Sequence, residues 1–111
     1  MDNADLSKHF WLMKEIEAIK KDLVNIDEQY ITSDNENLIA RRKDLLNKML
    51  INATEEVLKI EEYLDSIEDV QMRLLLRLRY VSTMTWEAIG KEIYMSPSGA
   101  LRKCMRYFEC N

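Results

Sequence analysis

Two apolar seams at heptad spacing constrain this chain more than any other feature. Leu12, Ile16, Ile19, Leu23, Ile26 and Tyr30 follow at intervals of four, three, four, three and four residues. That rhythm lays them along one side of an α-helix. A second seam opens at Ile39 and continues through Leu46, Leu50, Ala53, Val57, Ile60, Leu64 and Ile67, alternating four and three from Leu46 onward. It predicts a helix over about 37–65. Between the seams, residues 31–36 (ITSDNE) are polar and turn-prone, with Asp34 or Asn35 placed to cap the second helix. A connection this short forces the helices antiparallel, so the sequence predicts a coiled-coil-like helical hairpin over 1–66.

The first helix is too short to cover all of the second. Leu38, Leu45, Met49, Ile51 and Leu58 give the second helix further apolar flanks, and Phe10, Trp11 and Met13 widen the surface near the N-terminus. Such a surplus needs cover, either from the C-terminal residues or, as the preferred expectation, from a second copy in a homodimer.

Composition agrees with helices throughout. Only two Gly and one Pro occur in 111 residues, and 32% of the residues are charged, which favours an all-α chain over a loop-rich or β fold. No apolar run approaches the roughly 18 residues that would span a bilayer, and no signal peptide is apparent, so a cytoplasmic protein with no membrane partner is expected. The net charge of −4 conceals a split. Residues 1–69 carry nine Lys and Arg against 17 Asp and Glu, whereas residues 70–111 carry seven against three. Only the C-terminal part has the charge that phosphate attracts.

That part reads as three more helices over residues 67–111. Asp65 or Ser66 marks a boundary, with Ser66 and Asp69 at capping-box spacing before a helix over 67–81. Thr85 is a good N-cap for a helix over 86–94 whose apolar stripe is Trp86, Ile89 and Ile93. Tyr94 and Met95 turn the chain, Ser96 caps the next helix (97–109), and Pro97 takes its first position, where a missing N–H does no harm. Gly90 falls where two crossing helices need close approach. Arg102, Lys103 and Arg106 share one sector of the last helix, and Ala100, Cys104 and Tyr107 face away from it. A short helix with one apolar and one basic stripe, preceded by a capped turn, is the pattern of a helix-turn-helix that enters a DNA major groove.

The run RLLLRLRYVSTMTWEAIGKEIYMSPSGALRKCMRYF resembles region 4 of sigma-70-type transcription factors. It is more similar still to small phage and prophage regulators, the ArpU and RinA type of late-transcription regulator, which carry such a domain behind a helical hairpin. Leu75, Arg79, Tyr80, Val81, Thr85, Trp86, Ile89, Gly90, Met95, Ser96 and Ala100 carry the resemblance. Two positions depart from the pattern: Ala is common among relatives where Gly90 stands, and a larger β-branched residue where Ala100 stands. Gly99 weakens the first turn of the last helix by about 0.5–1 kcal/mol relative to Ala. The resemblance implies double-stranded DNA as partner, with RNA polymerase as a further one, and base or phosphate contacts at Pro97, Ser98, Leu101 and Arg102. The helical face instead favours Ser98, Arg102, Lys103 and Arg106; the two agree on Ser98 and Arg102. Arg102 suits a guanine edge, and Lys103 and Arg106 suit phosphates. Arg73 and Arg77, four apart, could grip the backbone beside the groove. The alternative for all these cations is a solvated amphipathic face.

The remaining residues favour structural roles. Arg79 is expected to pair with Glu87 or Glu92, and Trp86, Tyr107 and Phe108 to anchor the core. Cys104 and Cys110 are six apart, which separates them by about 9 Å along a helix and favours reduced thiols. His9 is the only histidine and has no cysteine nearby, so no metal or other cofactor is expected. No glycine-rich phosphate loop and no nucleophile beside a histidine base occurs, so no enzymatic activity is expected. The sequence points to a DNA-binding transcriptional regulator of phage type. A DNA-packaging protein similar to a terminase small subunit, or a module that docks on the transcription machinery, is the alternative.

Overall fold

The computed structural model describes residues 1–110, and side chains through Glu109. The described chain is all-α: α1 (Asn3–Asp27), α2 (Glu36–Asp65), α3 (Val70–Tyr80), α4 (Trp86–Ile93) and α5 (Pro97–Cys110), with no strand among the described residues. Among the described residues no helix is long and apolar enough to cross a membrane.

Four of the five helices start where a side chain accepts from one of their free N–H groups, and α2 is the exception. Asp2 and Asp5 cap α1 reciprocally: the Asp5 N–H donates to the Asp2 carboxylate at 2.9 Å, and the Asp2 N–H to that of Asp5 at 3.1 Å. Asn35 stands at the cap position of α2, since its carbonyl accepts from the Ile39 N–H. Its side chain turns backwards, however, accepting from the Thr32 N–H at 2.7 Å and donating to the Tyr30 carbonyl at 3.2 Å. Asn35 therefore builds the turn rather than neutralising the helix end. α1 stops at Asp27, and Tyr30, the last member of its heptad series, lies outside the helix and 82% exposed.

The residues form two compact units. One is Trp11–Leu58; the other joins Met1–Phe10 to the chain from Lys59 onward. These units do not follow the expected division into 1–66 and 67–111. The break at Ser66 is a break between helices, α2 ending at Asp65 and α3 starting at Val70.

In the first unit, Ile19, Ile26 and Leu46 form the buried cluster, with Leu23, Ile39 and Leu50 packed against it. Leu12, Ile16, Ala53 and Val57 are also buried. These are the predicted seam residues of both helices. Lys43 reaches Asp27 at 2.6 Å, but both side chains are half-exposed, so the pair adds little beside the apolar contact. Leu38, Leu45, Ile51 and Leu58 remain more than half exposed, and Met49 is 37% exposed.

In the second unit the buried side chains are Leu6 and His9 of α1, Ile60 and Leu64 of α2, Ile67 between α2 and α3, Met72, Leu75 and Leu76 of α3, Ile89 and Ile93 of α4, and Ala100 and Cys104 of α5. Burying each large aliphatic side chain contributes about 1.5–3 kcal/mol. α3 starts at Val70, not 67. Asp69 is its cap, accepting from the Met72 N–H at 3.1 Å. The Ser66 hydroxyl instead donates back to the Tyr63 carbonyl at 2.6 Å, closing the end of α2. The expected capping box is thus divided between two helices.

Candidate nucleic-acid interface

The candidate interface is assembled by the turn from α4 to α5. Thr85 caps α4 as expected, accepting from the Ala88 N–H at 3.2 Å, and Ser96 caps α5, accepting from the Gly99 N–H at 3.0 Å. Between them Tyr94 adopts the left-handed conformation (φ 59, ψ 44), and the Met95 N–H donates to the Gly90 carbonyl at 2.8 Å. That bond, six residues closed onto one, makes the Schellman close of α4. The same turn folds over Gly90 so tightly that a Cβ there would lie 2.4 Å from the Met95 carbonyl oxygen. Gly90 is therefore the close-approach residue that the sequence suggested, although the contact is with the turn itself.

α5 then presents two parallel rows. Ser98, Arg102 and Arg106, four residues apart, are exposed in one row. The Arg102 Nε–H reaches back to the Ser98 carbonyl at 3.4 Å, a long contact that leaves the rest of the guanidinium outward. Leu101 and Met105 form the neighbouring row, 37% and 52% exposed. Pro97 is exposed at the helix start, and Lys103 is half-buried, to the side of the basic row. Ala100 and Cys104 face the core, and burial pushes the Cys104 thiol up from its usual range. The expectation for Cys110 lies outside the described side chains.

Arg73 and Arg77 are not part of this surface row. The Arg73 Nη1 donates to the Ile67 carbonyl at 3.0 Å, holding the loop before α3, and Arg77 lies 3.7 Å from Glu61. Both line a separate hollow with Leu64, Val70 and Leu74. Arg79 is structural, but by a different bond from the expected pairing with Glu87 or Glu92. Its Nη1 donates to the Met84 carbonyl at 2.9 Å, and its guanidinium lies 4.6 Å above the Trp86 ring. Arg79 thereby joins the end of α3 to the start of α4.

The Leu101–Met105 row borders an open cleft of about 700 Å³ whose other walls include Phe10, Tyr80, Trp86 and Phe108. Tyr80 and Tyr107 each meet Phe108 edge-on, at 6.2 and 5.3 Å between ring centres. The Tyr107 and Tyr63 hydroxyls share a hydrogen bond of 2.6 Å. Burial first, and then that bond, pushes the Tyr107 phenol up to about 12; burial with Cys104 beside it does the same to Tyr80. Trp86, Tyr107 and Phe108 are half-buried, closer to an aromatic lining than to a sealed core.

Two residues take positions that the sequence did not assign them. Thr83, in the turn before α4, also has positive φ (54). His9 is 4% exposed, with its Nε2 lacking a hydrogen-bond partner and 3.9 Å from Glu61. The signal for His9 was available, because it continues the α1 seam backwards from Leu12 at an interval of three. Among the described residues no three His, Cys, Asp or Glu side chains gather where they could hold a metal ion. No family model, curated protein or solved structure matches the chain.

Proposed function

We propose that the chain is a sequence-specific DNA-binding transcriptional regulator of phage type, a helical hairpin followed by a helix-turn-helix whose recognition helix is α5. The observation that carries this reading is the outward row Ser98–Arg102–Arg106, on a helix that begins at a serine cap directly after a tight left-handed turn. Such a helix puts its first residues at base edges and its later cations at phosphates. Arg102 takes the guanine-reading role, worth about 1–3 kcal/mol of discrimination, and Arg106 a phosphate. Lys103, half-buried, serves as a second phosphate contact at the edge of the row. Pro97 and Leu101 bound the reading surface. Arg73 and Arg77, held by Ile67 and Glu61, would have to exchange those partners to reach DNA.

The resemblance to sigma region 4 supports the same assignment and brings RNA polymerase in as a further partner. The exposed Leu38, Leu45 and Met49 fall on one side of α2, and their burial against a second copy is the role proposed for them. A symmetric dimer would offer two recognition helices to half-sites about 34 Å apart or a multiple of that.

The test is selection of bound duplexes from a random pool, with the native chain and with Arg102→Ala/Arg106→Ala. A motif enriched by the native chain and lost in the variant is expected, palindromic if the dimer binds. Enrichment no greater than the variant's would refute DNA reading by α5.

A further inference from the structure

The turn between α4 and α5 holds one of the two positive-φ residues other than glycine among the described residues, the second being Thr83 ahead of α4. Tyr94 ends α4 in the left-handed region, at φ 59 and ψ 44. Helices commonly end this way, but on Gly, or sometimes Asn, because a Cβ crowds the backbone there. The turn cannot relax into another conformation at small cost: the Met95 N–H is bonded to the Gly90 carbonyl at 2.8 Å, and Gly90 already lies against the Met95 carbonyl. The tyrosine side chain offsets none of this strain within the chain. It is 95% exposed, and among the described residues it makes no hydrogen bond or ring contact.

Its place relative to α5 gives the ring something to touch. Tyr94 stands three residues ahead of Pro97, the first residue of the helix proposed to enter the groove. In a helix-turn-helix the helix before the recognition helix crosses the sugar–phosphate backbone, and Tyr94 closes that helix. Tyrosine is among the side chains that bond phosphate oxygens. We infer that Tyr94 is a DNA-backbone contact, its phenol O–H donating to a phosphate oxygen at the lip of the groove. This rests on the reading of α5 as the recognition helix. The contact fixes the depth and register of α5 without reading sequence, and the left-handed backbone aims the phenol away from the core.

The consequence is that stability and binding move in opposite directions. The experiment compares the native chain, Tyr94→Gly and Tyr94→Phe for thermal midpoint and for binding to a mixed-sequence duplex of about 20 base pairs, long enough for two adjacent half-sites. Binding is followed by fluorescence anisotropy from about 50 mM to 200 mM salt, the range over which phosphate contacts separate. Tyr94→Gly is expected to raise the midpoint by about 4 °C while weakening binding by about 3–10-fold. Tyr94→Phe should lose the same affinity with an unchanged midpoint. Neither variant should change the salt slope, since no cation is removed.

Native affinity in Tyr94→Gly would overturn the inference. So would full affinity in Tyr94→Phe, which would leave the ring and not the hydroxyl in contact. A lowered midpoint in Tyr94→Gly would also overturn it, because the ring would then be serving the fold. If the native chain itself binds no duplex, the reading of α5 fails and takes this contact with it, an outcome distinct from a native chain that binds and variants that bind equally well.

Discussion

Gly90→Ala tests how closely the turn after α4 folds back onto that helix. The added Cβ would stand 2.4 Å from the Met95 carbonyl oxygen and 3.4 Å from both the Met95 carbonyl carbon and the Pro97 nitrogen. All three are backbone atoms, so no rotamer change relieves the clash. To reach even 3.0 Å the Met95 carbonyl must retreat by about 0.6 Å. That carbonyl belongs to the peptide leading into Ser96, so the cap of α5 moves with it. Alanine gains about 0.5–1 kcal/mol over glycine in a helix. Overpacking against a fixed backbone costs about 1–3 kcal/mol, and loosening the Met95-to-Gly90 hydrogen bond about 1 kcal/mol more. The net expectation is a loss of about 1–3 kcal/mol, or a midpoint about 4–13 °C lower in a thermal melt followed by circular dichroism. Gly99→Ala is the control. There the close atom is the Ser96 hydroxyl at 2.9 Å, on a side chain that can rotate. Helix propensity and a weakened cap then nearly cancel, and the midpoint should shift by no more than about 2 °C. A midpoint for Gly90→Ala equal to or above the native value would refute the argument, since it would mean that the turn gives way freely.

Arg79→Lys should lose about 1–2 kcal/mol in urea unfolding, because an ammonium cannot both bond the Met84 carbonyl and lie flat on Trp86; an unchanged midpoint would reduce Arg79 to a surface charge. Ser96→Ala removes the acceptor for the Gly99 N–H and should cost about 0.5–2 kcal/mol by the same measurement, with no loss meaning that water caps α5 equally well. His9 gives a pH dependence. Burial holds its imidazole below the usual value, Arg77 acts in the same direction, and Glu61 opposes them. The unfolded chain therefore takes up the proton first: stability is flat above about pH 6.5 and falls as pH drops below it, continuing until the folded imidazole also titrates. Urea midpoints at pH 7.5 and 5.5 should differ more for the native chain than for His9→Leu; equal differences would show that other groups carry the acid sensitivity.

The parts of the fold that were legible in the sequence are those decided within one turn of helix. Heptad intervals placed Ile19, Ile26 and Leu46 in a buried cluster, and Thr85 and Ser96 cap the helices they precede, since a cap needs only its own side chain and the next three residues. Ambiguity began where two local solutions compete. Ser66 and Asp69 could each have capped α3, and the outcome turned on the Tyr63 carbonyl, which accepts the Ser66 hydroxyl and commits it to α2. The helix therefore starts three residues later than expected.

Partners reached through the backbone were invisible for a different reason. Charge counting offers Arg79 only carboxylates, Glu87 and Glu92, whereas the structure gives it the Met84 carbonyl and the face of Trp86. Any residue can supply a carbonyl, so no side-chain pattern marks the site. The division into units shows the same limit at larger scale. A seam records that a residue is buried but not by what, so nothing at Phe10 or Lys59 signals the change of unit. Tyr94 combines both effects. Its left-handed backbone is dictated by the close of α4 onto Gly90, a requirement that sequence advertises when glycine answers it and hides when tyrosine does. A position where the local preference is overruled, with the side chain left almost wholly in solvent, is where the demands of the fold alone no longer account for the residue, and a contact with another molecule can.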